Sequence, residues 1–65
     1  MNTIRLTPEN VFQYIGYEII FKSNNNHIIK RINNVSNSGK SVHIEHPELQ
    51  NTLEIVSRNV YVITK

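Results

Sequence analysis

Short runs of alternating apolar and polar residues, separated by turn-forming residues, constrain this chain more than any other feature. From Tyr17 onward each apolar run is only a few residues long, and Asn, Ser, Gly or Pro stands between the runs. Alternation with a period of two is typical of strands that bury one face. The pattern predicts five strands, at about 17–22, 27–35, 41–46, 53–57 and 60–64.

The longest of these strands, 27–35, does not alternate cleanly, because Ile28, Ile29 and Ile32 cannot all point to one face. A β-bulge or a strong bend resolves such a conflict. The segment 23–26 before it predicts a tight turn, since Asn tolerates left-handed backbone. Five short, strongly bent antiparallel strands predict a mainly β fold, a small five-stranded barrel.

The residues before Gly16 predict a short N-terminal α-helix over 8–15. Thr7 is a suitable N-cap, Pro8 fits the first helical position, and Gly16 is expected just past the end. Leu6 and Val11 fit a hydrophobic staple, and Phe12 and Ile15 continue the apolar side of the helix. We expect Phe12 and Phe21 to join the core.

The small size of the chain limits its stability. Residues 1–65 form one domain at most and contain no cysteine, so no disulfide can support the fold. A domain of this length buries only about 60% of its unfolded surface. A protein partner or a homo-oligomer is therefore expected. With neither a run of the ~18 apolar residues that span a membrane nor a signal-peptide pattern, the chain is predicted to be intracellular, without a membrane partner.

The order of elements, a short helix followed by five strands, resembles the SH3-like barrels, and within them the family of Sm, LSm and bacterial Hfq proteins. The segment 55–63, IVSRNVYVI, is similar to the family's second motif, although Ser57 stands where the family has glycine. The family's first motif carries an Asp and an Asn, and the corresponding stretch, 36–43, contains neither an Asp nor a well-placed aromatic. The second motif is matched at Ile55, Val60 and Ile63.

This resemblance implies ring-shaped oligomers that hold RNA in a central pore. The two inner loops of the family contact the RNA, and by position they would correspond to Gly39 and Lys40 in one loop and to Arg58 and Asn59 in the other.

Other SH3-like functions are not expected. A polyproline groove and a methyl-lysine cage both need clustered aromatics, and this chain has no Trp, three Tyr and two Phe.

The sequence SGKS, at 38–41, matches the end of a nucleotide-binding P-loop. The first glycine of that motif would fall at Asn34, and a strand pattern rather than a helix follows Ser41. The stretch therefore predicts a β-turn in which Gly39 supplies a positive φ. No small-molecule substrate is expected there.

Catalysis and metal binding are not expected either. Ser41, His43 and Glu45 share one face of a predicted strand, but such residues are ~6.7 Å apart, too far for a hydrogen-bonded triad. A zinc site would need three or four converging ligands. The side chains that could supply them near the turn at Pro47 are His27, His43, Glu45, His46 and Glu48. We expect solvated histidines, no cofactor and no enzyme.

The basic residues support the leading functional hypothesis. Seven Lys and Arg against five acidic residues leave a net charge of +2, with a pI near 9.2, which permits nucleic-acid binding. We expect weak binding of nucleic acid, RNA preferred, through basic turns. Lys22 and Lys30 flank one hairpin and are expected to meet across it, with Arg31 pointing the opposite way. The candidate contacts are Lys22, Lys30, Arg31, Lys40, Arg58 and Asn59.

A protein-interaction role is the alternative. Marginal size and exposed sheet edges favour a component of a larger assembly. The skewed composition, rich in Ile and Asn and without Ala, indicates an AT-rich gene, as in many viruses and mobile elements.

Overall fold

Six antiparallel strands form one sheet in the computed structural model, which describes residues 2–44 and 52–64. The strands are β1 (Thr3–Arg5), β2 (Glu18–Ser23), β3 (Asn26–Val35), β4 (Ser41–Ile44), β5 (Thr52–Glu54) and β6 (Tyr61–Ile63). They lie in the order β1-β6-β2-β3-β4-β5. The predicted mainly β class is confirmed, whereas a closed barrel is not, because the sheet remains open.

The five predicted strands correspond to β2 through β6, with shifted ends. The strand predicted at 53–57 ends at Glu54, because the chain bends at 55–58. The strand predicted at 41–46 runs to Ile44, and its last two residues lie outside the described residues. β1 was not predicted. Its three residues are all exposed and show no buried face, so pairing with β6 defines it rather than a sequence pattern.

The α-helix predicted over 8–15 is not confirmed. A turn covers 8–10, and Val11–Tyr14 forms a four-residue 3₁₀ helix. The backbone is already extended at Ile15, and the Gly16 N–H donates to the Ile32 carbonyl at 2.9 Å. The helix ends early because the backbone after Tyr14 hydrogen-bonds to β3 instead of continuing the helix.

Thr7 nevertheless caps the turn that leads into this helix. The Asn10 N–H donates to Thr7 Oγ1 at 3.2 Å, and the Thr7 N–H donates to Asn10 Oδ1 at 2.9 Å. Such reciprocal bonds satisfy donors that a helix start leaves free. The Asn10 side-chain amide also donates to the Arg5 carbonyl at 3.1 Å, which ties the turn to the end of β1.

The predicted turn at 23–26 is confirmed. Ser23 pairs with Asn26, leaving a two-residue loop in which Asn24 and Asn25 have φ of 50° and 67°. Positive φ at both central residues matches the right-handed twist of the flanking strands. This loop sets the register of the whole β2–β3 hairpin.

The predicted irregularity in the long strand is also confirmed. β3 pairs with β2 through its first part and with β4 through its last, and the register shifts between Ile32 and Asn34. Regular alternation before the shift puts Ile28 and Ile32 on the core side and leaves Ile29 49% exposed on the opposite side. The shift then lets Val35, three residues after Ile32, face the core as well.

Twelve buried apolar residues, drawn from β2 through β6, the 3₁₀ helix and the connections beside them, form one core cluster. They are Leu6, Val11, Ile19, Phe21, Ile32, Val35, Val42, Ile44, Leu53, Ile55, Val60 and Val62. Leu6 and Val11, the predicted staple pair, both belong to it, and Phe21 joins it as predicted. The prediction for Phe12 is wrong: Phe12 is 49% and Ile15 46% exposed, because a 3₁₀ helix does not keep the α-helical face.

The turn between β3 and β4 packs directly against the 3₁₀ region. Gly39 is buried at φ +75°, and a Cβ on it would lie 2.9 Å from the Pro8 carbonyl oxygen and 3.0 Å from Phe12 Cε2. Gly16, at φ +93°, has open space around the same position. The two glycines share a backbone conformation and differ in crowding.

Gly39→Ala is therefore expected to lower the free energy of unfolding by about 2–3 kcal/mol, and Gly16→Ala by about 1 kcal/mol. Left-handed backbone accounts for ~1 kcal/mol in both variants, and the clash with a backbone carbonyl adds the rest only at Gly39. Urea denaturation measures both values. Equal losses would contradict the close packing of this turn.

Two isoleucines of the β2–β3 hairpin test the assignment of its faces. Ile19 is fully buried and Ile29 is 49% exposed. Ile19→Val should cost about 1 kcal/mol by removing one core methyl group. Ile29→Val should change stability by less than ~0.5 kcal/mol. Thermal unfolding of both variants decides the point, and a larger loss at Ile29 would reverse the assigned faces.

Candidate nucleic-acid interface

One side of strands β1, β6, β2 and β3 points away from the core, and we call it the outer face. Residues paired across two strands share a face, and successive residues along a strand alternate between faces. Buried Val62 and Ile19 therefore identify the core side of the sheet. The outer face carries Thr3, Arg5, Glu18, Ile20, Lys22, His27, Ile29, Arg31, Tyr61 and Ile63.

The hairpin separates the three predicted cations that it carries. Lys22 pairs with His27 on the outer face, whereas Lys30 pairs with Ile19 on the core side, where it is half-buried. The expectation that Lys22 and Lys30 meet across the hairpin is therefore wrong. The partner of Lys30, Ile19, is three residues from Lys22 along β2, and residues an odd number of positions apart on a strand point to opposite faces. Arg31 does point away from Lys30, as predicted, and pairs with Glu18.

Lys40, Arg58 and Asn59 lie in the two connections that follow β3 and β5. The Lys40 carbonyl accepts a hydrogen bond from the Ile55 N–H at 2.9 Å, so the two connections touch. Arg58 and Asn59 are exposed farther along the second connection. Ser57 donates to the Glu54 carboxylate across this bend. Ser57 is the residue that stands where the Sm-like family has glycine, and here its side chain ties the bend to the end of β5.

A concavity of about 430 Å³ lies on the outer face and brings two of the predicted residues together. Lys22 and Asn59 line it with five others: Thr3, Ile20, Phe21, His27 and Tyr61. β2, β3, β6, β1 and the turn before β6 therefore all contribute. The sequence places these residues as much as 58 positions apart, from Thr3 to Tyr61.

Sequence reasoning missed Tyr61, His27 and Arg5 as members of this surface. The alternation around buried Val62 could have placed Tyr61 on an outward face, but the sequence does not show which strand lies beside β6. Arg5 belongs to the unpredicted strand β1 and lies opposite Tyr61. Only the sheet order makes these residues neighbours.

An apolar row crosses the outer face and is flanked by charge. Ile29 pairs with Ile20, and Ile20 with Tyr61, so the three side chains lie in register across β3, β2 and β6. Around them the outer face carries the cations Arg5, Lys22 and Arg31. Glu18 is the acidic residue among the described outer-face positions. The balance on this face is positive, which favours an anionic ligand.

The SGKS stretch forms a turn, as predicted. The Gly39 N–H donates to the Ser36 carbonyl at 3.0 Å, the Lys40 N–H to Ser38 Oγ at 3.3 Å and the Ser41 N–H to Ser36 Oγ at 3.2 Å. Backbone N–H groups are what a P-loop offers to phosphates. Here they bond within the turn, and β4 follows instead of a helix.

The remaining candidate residues do not assemble into a reactive cluster within the described part of the chain. Ser41 is half-buried and His43 exposed on β4, while Glu45, His46 and Glu48 lie outside the described residues. In residues 2–44 and 52–64 no three His or acidic side chains come together to hold a metal ion. Over the same ranges, no helix is long and apolar enough to cross a membrane.

Comparisons of the chain with protein-family models, with curated proteins and with solved structures find no match. The resemblance to the Sm-like family therefore rests on the quoted residues and on the order of elements that the sequence predicts, of which the structure does not confirm the α-helix.

Proposed function

We propose that this chain is a non-enzymatic binding module that takes single-stranded nucleic acid, RNA preferred, on its outer face. One observation carries the proposal. The concavity on that face gathers a lysine, an amide side chain and a tyrosine, namely Lys22, Asn59 and Tyr61. A cation for phosphates beside an aromatic ring for bases is the usual composition of a single-strand site.

The charge on the outer face supports this ligand over a neutral one. Lys22 lines the concavity, Arg31 lies on the next strand, and Arg5 lies at the edge beyond Tyr61. Phosphate contacts of this kind supply affinity without sequence preference and fix the strand on the protein. Arg58, the residue before Asn59, is exposed and adds a further cation to the turn before β6.

Two predicted contacts have different roles in this proposal. Lys30 faces the core side and is half-buried, so it does not belong to the outer face. Lys40 lies at the other turn, whose backbone bonds to Ile55. We assign Lys40 to a secondary contact reached by longer strands.

The finer fold proposal is an SH3-like barrel of the Sm-like kind. The bulged β3, shared between β2 and β4, supports it, as does a single core to which β2 through β6 all contribute. The bond between Lys40 and Ile55 adds support, because it joins the two connections that the resemblance assigns to RNA contact.

Lys22→Gln should weaken binding of a fluorescent single-stranded RNA about fivefold at low salt, roughly 1 kcal/mol. It should also lower the slope of log affinity against log salt concentration by about 0.7, since one phosphate contact is lost. Lys30→Gln is the matched control, the same change on the same hairpin but on the opposite face. Fluorescence anisotropy across a salt series measures both variants.

Equal loss in the two variants would remove the outer face from the proposal. No binding by the unaltered protein at low salt would overturn nucleic-acid binding altogether. Arg31→Gln and Lys40→Gln complete the series, with the larger loss expected at Arg31.

A role in protein assembly, including that of a viral or mobile-element component, is the second candidate. The observation that favours it is a group of apolar side chains between residues 12 and 17, of which Phe12, Ile15 and Tyr17 are each more than 40% exposed. Such exposure is unusual for a small monomer and typical of interaction surfaces. Light scattering should then show an oligomer whose stability depends little on salt. A monomer at every salt concentration would count against the assembly role.

A further inference from the structure

The position of Tyr61 in the sheet suggests more than general affinity for an anion. β6 lies between β1 and β2, so Tyr61 stands within the outer face rather than at its edge. Val62, the next residue, is fully buried, which directs the Tyr61 side chain outward, where it is 36% exposed. An aromatic ring held on a strand has few rotatable bonds and offers a flat surface at small entropic cost.

The residues beside Tyr61 leave room for a planar ligand. Ile20 lies opposite it on β2, and Thr3 of β1 lines the same concavity. Neither side chain carries charge, so they form an uncharged floor. Tyr14 and Tyr17 are engaged with one another in an edge-to-face pair at 5.3 Å and 81°, and Tyr14 also packs on the core.

Cations lie on both sides of this ring. Arg5 pairs with Tyr61 across the β1–β6 ladder, at a strand spacing of about 5 Å. Lys22 lies on the far side, two residues along β2 from Ile20, which is a further ~7 Å along the strand. A backbone that crosses the face from Lys22 to Arg5 passes over Tyr61.

Resting on the proposed function, we infer that Tyr61 is the stacking platform for one unpaired base, with the flanking phosphates held by Lys22 and Arg5. Asn59 lines the same concavity, and its amide can donate to and accept from the edge of that base. A paired base is not free to stack on the ring. The site therefore selects single strands over duplexes and bases over bare phosphates.

The experiment compares three ligands of equal length by fluorescence anisotropy: a single-stranded RNA, the same strand without bases, and a duplex. The unaltered protein should bind the RNA about tenfold more tightly than the abasic strand, the value of one stacked base. Tyr61→Leu should abolish that difference and leave the salt dependence unchanged. Tyr61→Phe keeps the ring and should retain most of the difference.

The control variants separate stacking from charge and from folding. Tyr17→Leu removes an exposed tyrosine that lies away from the concavity and should leave all three affinities unchanged. Arg5→Gln and Lys22→Gln should weaken the RNA and the abasic strand by the same factor. Circular dichroism of each variant establishes that it is folded.

A fluorescent substitution gives an independent readout. The chain contains no tryptophan, so Tyr61→Trp introduces a single tryptophan that keeps an aromatic surface at the platform. Its emission should be quenched by the RNA and not by the abasic strand. Tyr17→Trp should respond to neither ligand.

The outcomes distinguish this inference from the function on which it rests. If Lys22→Gln weakens binding but Tyr61→Leu does not change the preference for bases, the stacking platform is wrong and phosphate binding stands. If the unaltered protein binds none of the three ligands at low salt, both are overturned. Disruption of a homo-oligomer by Tyr61→Leu, without RNA binding, would assign the face to a second copy of the chain.

Discussion

The pairing of β3 with two neighbours holds this small structure together. Its first part, as far as Arg31, completes the hairpin with β2, and from Ile32 onward it pairs with β4, with a register shift between Ile32 and Asn34. A bulge adds twist and bends the strand. Ile32 and Val35, on either side of this shift, thereby reach the same core. A straight β3 would extend the sheet in one plane and leave these residues less well covered.

Two close approaches fix the remaining parts of the chain to this strand. The Gly16 N–H bonds to the Ile32 carbonyl, which joins the 3₁₀ region to the middle of β3. Gly39, in the turn after β3, comes so near Pro8 that a side chain would collide with it. Both contacts involve glycine at positive φ, because each needs a backbone path that other residues rarely adopt. The N-terminal segment is thus held by the sheet rather than by helical propensity.

The candidate site depends on strand order more than on any local motif. Tyr61 lies beside Ile20 because β6 inserts between β1 and β2, and the same insertion places Arg5 next to Tyr61. The face is built on strands, whose pairing limits movement, and its cations surround an apolar row. A ligand with alternating charge and flat apolar surface matches that arrangement. Of the two loops expected to contact RNA, one contributes Asn59 to the concavity. The other carries Lys40 in the turn after β3, away from the residues that line the concavity.

Local chemistry in the sequence by itself determined the β class, the asparagine turn, the irregular third strand and the turn at SGKS. Each of these follows from a few neighbouring residues, since alternation and left-handed tolerance act over short distances. Tertiary structure alone decided the short 3₁₀ helix, the strand β1, the opposite faces of Lys22 and Lys30, and which residues lie beside Tyr61. These depend on register and on hydrogen bonds between residues far apart in the chain. A shift of one position in pairing moves every side chain to the other face, and no local pattern records which pairing is made.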